Sequence, residues 1–490
     1  MRRLAATLAA LLLAGCSQQP KYVQPGMPVA PTFPTYSWSR EAGPRAVEIE
    51  WRSFFKDPRL QALIERALEH NRDLRTAVLR IDEARGQYRI QRADSRPTVD
   101  AAAGAARSRS EGFGSGAVTA SRFDVGASIT SFELDFWGRV RALTEAARAN
   151  YLATIYGQRA FQISLVADVA EAYLTERELD ARIAVAQSAV ASRRRALDIG
   201  QLRLEAGVTS ALDYRQIETL LTQAQTELAN LELQRAQTRN SLEFLVGGPV
   251  PARLPSPLPM AGQGIVENIS AELPSELLTN RPDILEAEEQ LRAANADVGA
   301  ARAAFFPQIS LTGALGLASA ALNSLFTGDA FTWSAGAGAA VPIFDAGRTR
   351  GNLDVAVARR GIATAGYERA TQNAFREVSD RLAARRWLVD RMTSQQRELA
   401  AQRDRAELAT LRYRSGVAGF LEVLDAEREL FAAEQQVLLT RREQLTNAVD
   451  LYVALGGGLE MRAITPTLAG DGLEREQSKR AERPPLSAPE

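Results

Sequence analysis

Few residues in this chain are equipped for chemistry. Among 490 residues there is one histidine, His70, and one cysteine, Cys16. A lone histidine leaves little with which to build a His-based metal centre or a Ser-His-Asp triad. A lone cysteine forbids an intramolecular disulfide. His70 falls at a helix end and reads as an exposed residue there. Carboxylate pairs such as Glu288-Glu289 are too common on the helical stretches to mark acid–base catalysis. The Gly456-Gly457-Gly458 run follows a helix and opens none, unlike a phosphate-binding loop. The expectation is no catalytic residue, no metal and no cofactor. Basic and acidic side chains balance at 59 each, without the basic footprint that nucleic acid demands. Glu422 and Asp425 are spaced i, i+3 on one helix face, and Asp213 sits in the equivalent region of an earlier segment. Groups of this kind shape a local field instead of breaking bonds.

The elements that must position them begin at the N-terminus. Arg2 and Arg3 precede a short apolar run, Leu4 to Leu13, too short to span a bilayer but suited to a secretion signal. Leu13-Ala14-Gly15-Cys16 resembles the bacterial lipobox. That resemblance implies cleavage after residue 15 and lipid attachment at Cys16; Ser17, in place of Asp, favours the outer membrane. A single lipidated terminus anchors a chain and does not span the membrane. Residues 16–57 form a tether rich in Pro, Ser and Thr, and its scattered aromatics, Tyr22, Phe33, Tyr36 and Trp38, predict that it lies along the body.

The rest is written twice. Asn71-Arg72-Asp73-Leu74 returns as Asn280-Arg281-Pro282-Asp283, 209 positions later. Leu202-Arg203 through Gly207-Val208 returns as Leu411-Arg412 through Gly416-Val417, and Leu245-Val246-Gly247-Gly248 as Ala454-Leu455-Gly456-Gly457. Pro97 and Gly138-Arg139 find counterparts at Pro307 and Gly347-Arg348. The expected organisation is a signal peptide over 1–15, the tether over 16–57, and a first repeat over 58–248. A linker over 249–270, a second repeat over 271–458 and a disordered tail over 459–490 complete it.

Each repeat has the same order of elements. A helix starting at Asp57-Pro58 runs to about Asp94. A hairpin over 97–134 follows, with strands near Pro97 to Arg109 and Ser121 to Leu134 and a Gly/Ser-rich loop, Glu111 to Ala120, between them. Phe123, Val125, Ala127 and Ile129 alternate with polar neighbours at period two. The second hairpin, 307–344, repeats this with Ile309, Leu311, Leu315 and Leu317 against Gln308, Ser310 and Thr312. A helix then runs unbroken from Gly138 to about Glu205, roughly 100 Å. The chain turns at a tip, 204–212 in the first repeat and 413–421 in the second, and returns on a heptad seam of Ile217, Leu221, Ala224, Leu228, Leu231, Thr238, Leu242 and Leu245, with Arg235 as a polar exception. Strands of this length cross a bilayer when tilted. Two hairpins leave four strands with open edges, which lipid does not tolerate, so several chains must close the sheet. Two chains would give a barrel filled by side chains; three would give twelve strands and leave a lumen.

Taken with Asn280-Arg281-Pro282-Asp283-Ile284, Phe305-Phe306-Pro307-Gln308-Ile309 and Leu455 to Gly458, the chain resembles the TolC family, and within it the lipoprotein branch of OprM- or NodT-like outer-membrane factors. The resemblance implies an α+β membrane protein: a trimeric duct whose 12-stranded transmembrane β-barrel, four strands per chain, continues into a long periplasmic α-helical coiled-coil barrel. It implies a passive exit duct of a tripartite efflux pump, with a periplasmic adaptor and an inner-membrane RND transporter as partners beside the homotrimer and outer-membrane lipid. The tips Gly207-Val208-Thr209-Ser210 and Gly416-Val417-Ala418-Gly419 would then contact the adaptor, and Tyr413, Glu422, Asp425 and Asp213 would form the periplasmic gate. Ala418 stands where one member of the family carries an arginine that ties the closed tips, so the latch here must differ. A duct for type I protein secretion and a non-transport envelope scaffold are the competing functions.

Overall fold

The computed structural model describes residues 17–33, 43–112, 116–270 and 274–458. The proposed signal peptide, Cys16, Tyr36, Trp38 and the C-terminal tail therefore lie outside the described residues. After a one-turn helix, α1 (Trp51–Phe54), come α2 (Pro58–His70) and α3 (Arg72–Ala93), then strands β1 (Asp100–Gly112) and β2 (Gly116–Leu134). Next are the long helix α4 (Arg139–Glu205) and its return α5 (Ala211–Leu245). The second half gives α6 (Pro274–Asn280), α7 (Pro282–Ala303), β3 (Gln308–Ser319), β4 (Phe331–Ala340), α8 (Arg348–Arg414) and α9 (Phe420–Ala454). The two long helices are 67 residues each and the two returns 35 each.

Capping explains most of these boundaries. Asp57 caps α2 by accepting from the Arg59 amide, with Pro58 at the first position. The single helix expected to reach Asp94 is broken at Asn71, whose side chain caps α3 through the Leu74 amide at 2.9 Å. The Asn71 amide also donates to Leu245 O at 2.9 Å, tying the break to the end of α5. There Gly247 holds φ +76 and passes so close to His70 that a Cβ would lie 2.2 Å from its carbonyl oxygen. The second half makes the same joint with other atoms: Arg281 donates to Ala454 O at 3.0 Å, and Gly456 packs on Asn280. The repeated Asn-Arg and Gly-Gly landmarks are thus two sides of one contact.

Both long helices start beneath the sheet on an aspartate. Asp135 accepts from the Val140 and Arg141 amides, and Asp345 from the Gly347 and Thr349 amides. Trp137 stacks on Phe306 with centroids 4.7 Å apart and donates its indole N–H to Pro307 O. That contact accounts for the Phe-Phe-Pro motif.

The strands form one antiparallel sheet in the order β1-β2-β3-β4. They are longer than the sequence pattern predicts: residues 111, 112 and 116–120, expected in a loop, belong to β1 and β2. Ser and Gly weaken the side-chain signal, while the ladder itself needs only backbone groups. A bulge between Ile129 and Phe132 shifts the register. One face carries Phe123, Val125, Ile129, Leu311, Leu315, Leu317 and Trp333; the other carries Gly, Ser, Thr, Asp and Arg. On the polar face Gly126 and Gly316 oppose each other, and a Cβ on Gly316 would lie 2.4 Å from Val125 O. Glycine is therefore required at this pair, and in a sheet closed into a barrel the polar face would be the inner, concave one and the apolar face the outer, convex one.

The principal core lies midway, where α2, α4, α7, α8 and α9 meet the segments around residues 46–57 and 246–284. Tyr173 donates to the buried Asp57 carboxylate at 2.6 Å, and Tyr452 stacks on Phe54 at 4.0 Å. Tether residues Ser17 to Phe33 run along this body: Tyr22 bonds Glu288, Gln24 bonds Tyr367 and Phe33 stacks on Phe375. Arg235, the polar break in the heptad seam, is matched by Asp180 across α4 and α5 at 2.5 Å.

Candidate functional site

The tips of the two helical hairpins are built on the same turn. At the end of α4, Gly207 has φ +72 and Val208 N donates back to Arg203 O; at the end of α8, Gly416 has φ +73 and Val417 N donates to Arg412 O. Beyond the turn they differ. Ser210 and Asp213 form a capping box that starts α5, whereas Gly419 starts α9 without a side-chain cap. The expected adaptor-contact residues are all at these tips, and Val208 and Val417 are 63% and 72% exposed. Leu212 and Leu421, at matching positions, are also exposed.

Asp213 is engaged locally. Its carboxylate accepts from Thr209 Oγ1 at 3.2 Å and its own amide donates to Ser210 Oγ at 3.0 Å. The bond with Ser210 chiefly holds its pKa below the ordinary aspartate value. Glu422 pairs with Arg412 at 3.3 Å. Asp425 lies between two guanidinium groups, those of Arg405 and Arg428. The acids on this face are therefore met by arginines of the same chain, three of them supplied by the end of α8 and the start of α9.

Tyr413 lies at the centre of the tip. Its hydroxyl accepts from Arg203 Nη1 at 2.6 Å, the Arg203 guanidinium lies 5.2 Å from its ring centroid, and Phe420 meets the ring edge-on at 5.0 Å. Ala406, Ala409, Val423 and Ala426 form a small core beneath it. Arg203 belongs to α4 and Tyr413 to α8, so one hydrogen bond ties the two hairpins near their ends. Reading the acids alone missed Arg203, Arg405, Arg412 and Arg428. Arg203 and Arg412 are nevertheless counterparts within the repeated Leu-Arg…Gly-Val landmark, which was the available signal.

An amphipathic sheet with two open edges, mounted on two long helical hairpins, is the build of an outer-membrane channel subunit. The chain belongs to the outer membrane efflux protein family, whose profile matches residues 63–248 and 273–457. It is 42% identical over 460 residues to the solvent efflux pump outer membrane protein SrpC of Pseudomonas putida, covering 92% of this chain and 97% of that one. It is 42% identical over 464 residues to outer membrane protein OprJ of Pseudomonas aeruginosa, covering 92% and 95%. Its fold is similar to the open-state MtrE outer membrane channel of Neisseria gonorrhoeae, with a TM-score of 0.82 and 40% identity over 91% of this chain and 99% of that one.

Proposed function

We propose that three copies of this chain close a 12-stranded outer-membrane barrel, continue into a helical conduit in the periplasm, and serve as the passive exit duct of a tripartite efflux pump. The observation that carries this is the sheet. β1 and β4 are unpaired edges of an apolar-out, polar-in sheet, and lipid leaves no solution for such edges except closure with further copies. Twelve strands leave a lumen lined by the Gly/Ser/Thr face. The exported compounds are small toxic molecules of the kind for which the relatives are named: solvents, toluene and antibiotics. Those names favour efflux over protein secretion and over a scaffold. The chain performs no bond chemistry in this account; energy comes from an inner-membrane RND transporter through a periplasmic adaptor. Cys16 carries the lipid, and Ser17, which lies against Gly138 beneath the sheet, would set that anchor at the membrane surface.

The adaptor meets the exposed tips 207–210 and 416–419. The gate is formed by Tyr413, Glu422, Asp425 and Asp213, with the Arg203–Tyr413 hydrogen bond as the tie that Ala418 does not supply. Expression in a host lacking its own outer-membrane efflux component, together with the adaptor and transporter that accompany this chain, should restore tolerance to solvents and antibiotics. Unrestored tolerance despite surface assembly of the protein would refute the pump role.

A further inference from the structure

On the convex face of the sheet the apolar residues stop abruptly. From Phe123 to Leu134 strand β2 covers roughly 37 Å at about 3.4 Å per residue, and a tilt near 45° turns that into about 26 Å of depth, the height of a barrel's apolar band. Phe123 pairs with Ala105, at the upper limit of that band. The next two convex positions on β1 are Arg107 and Arg109, paired with Ser121 and Thr119. Their side chains stand about 7 Å apart along the strand, flanked by two hydroxyls. Convex positions from Ala101 to Arg109 on β1 and from Thr119 to Ile129 on β2 include no carboxylate. Among the residues whose side chains are described, no acid pairs with either arginine. Glu111, paired with Ala117, is the next convex position on β1; Asp100, Asp124 and Glu133 lie on the other face, where Asp124 is paired with Arg122 at 3.2 Å.

Gly112 and Gly116, the last pair of the β1–β2 ladder, lie just above, at the end of the sheet remote from the helices. The arginines are therefore at the outer leaflet and not at the periplasmic surface. Two guanidinium groups projecting from the rim of an apolar band, with hydroxyl donors beside them, suit phosphate: the forked donors match its oxygens, while the arginine stems rest on the apolar surface below. We propose that Arg107, Arg109, Ser121 and Thr119 form a binding site for the phosphate groups of the anionic glycolipid in the outer leaflet, one site per subunit. The site holds the barrel's rim at the headgroup level. It rests on the transmembrane reading of the sheet given above.

The test uses the full-length protein reconstituted in phosphatidylcholine vesicles with and without 10 mol% lipid A. Lipid A retained on the particle after detergent extraction is quantified by mass spectrometry, and single-channel conductance is recorded from the same preparations. The double variant Arg107→Gln/Arg109→Gln should weaken retention on the order of 30-fold, since each interfacial basic residue contributes about a factor of five. Arg107→Lys/Arg109→Lys should keep most of it, and conductance should be unchanged in both. Inorganic phosphate at 10 mM should not compete; displacement by it would show a free-anion site and overturn the lipid assignment. Equal retention by wild type and the Gln variant, with conductance intact, would overturn the site while leaving the duct standing. Absence of conductance from every preparation, with Tyr413→Phe added to open the gate, would instead overturn the transmembrane reading.

Discussion

Tyr413→Phe removes one hydroxyl and leaves the ring on Phe420 and under the Arg203 guanidinium. What is lost is the 2.6 Å bond accepted from Arg203. A hydrogen bond to a charged partner contributes about 1.5–3 kcal/mol when shielded from water. Both side chains are partly exposed at the tip, so screening reduces this to about 1 kcal/mol. If the closed trimer makes three such ties and the open state none, roughly 3 kcal/mol separates variant from wild type, on the order of a 100-fold shift toward the open state. The assay is single-channel recording in planar bilayers, with open probability and conductance as readouts, and vancomycin susceptibility of whole cells as a second measure of leak. Arg203→Gln should match or exceed Tyr413→Phe, and the double variant should add little to Arg203→Gln, because both remove the same bond. Open probability unchanged in Tyr413→Phe, or fully additive effects in the double variant, would refute the tie between α4 and α8.

Three further outcomes follow from the structure and a fourth from the N-terminal sequence. Glu422→Gln/Asp425→Asn should reduce cation selectivity, modestly, because both acids are already paired with arginines, and the change should shrink as salt screens the tip; ion selectivity in asymmetric salt measures it. Burial, with Asp450 and Asp168 nearby, raises the Glu171 pKa to about 8. The folded state then holds a proton that the unfolded chain releases near pH 4.5, so stability should fall as pH rises from about 5 to 8, and Glu171→Gln should flatten that slope in thermal unfolding of the detergent-solubilised protein. Gly316→Val would press a side chain into Val125 O and the Gly126 backbone, and should abolish detergent-resistant trimers on gels. Cys16→Ser should abolish labelling with radioactive palmitate while barrel insertion survives.

The long helices were legible because strong signals bound them. Gly207 and Gly416 stop α4 and α8 where left-handed φ is needed, and neither helix contains a proline. The break at Asn71 was harder to see, since apolar periodicity continues across it. It depends on an amide that reaches Leu245, far along the chain. The strand ends were masked by Ser and Gly, whose backbone pairs as well as any other. At the tips, the spacing of Glu422 and Asp425 was visible, but their neutralisation by Arg412, Arg405 and Arg428 was not. Arg405 and Arg412 come from α8 and meet α9 only after the hairpin folds back. The Arg203–Tyr413 bond joins positions 210 residues apart, beyond the reach of any local pattern.

The central claim is that three copies enclose one continuous conduit. Its most direct measurement is the mass of the purified, detergent-solubilised particle, followed by bilayer recording from the same preparation. The account predicts a particle of three chains that carries discrete current steps. A monodisperse monomer, or a trimer that inserts and passes no current even as Tyr413→Phe, would contradict it.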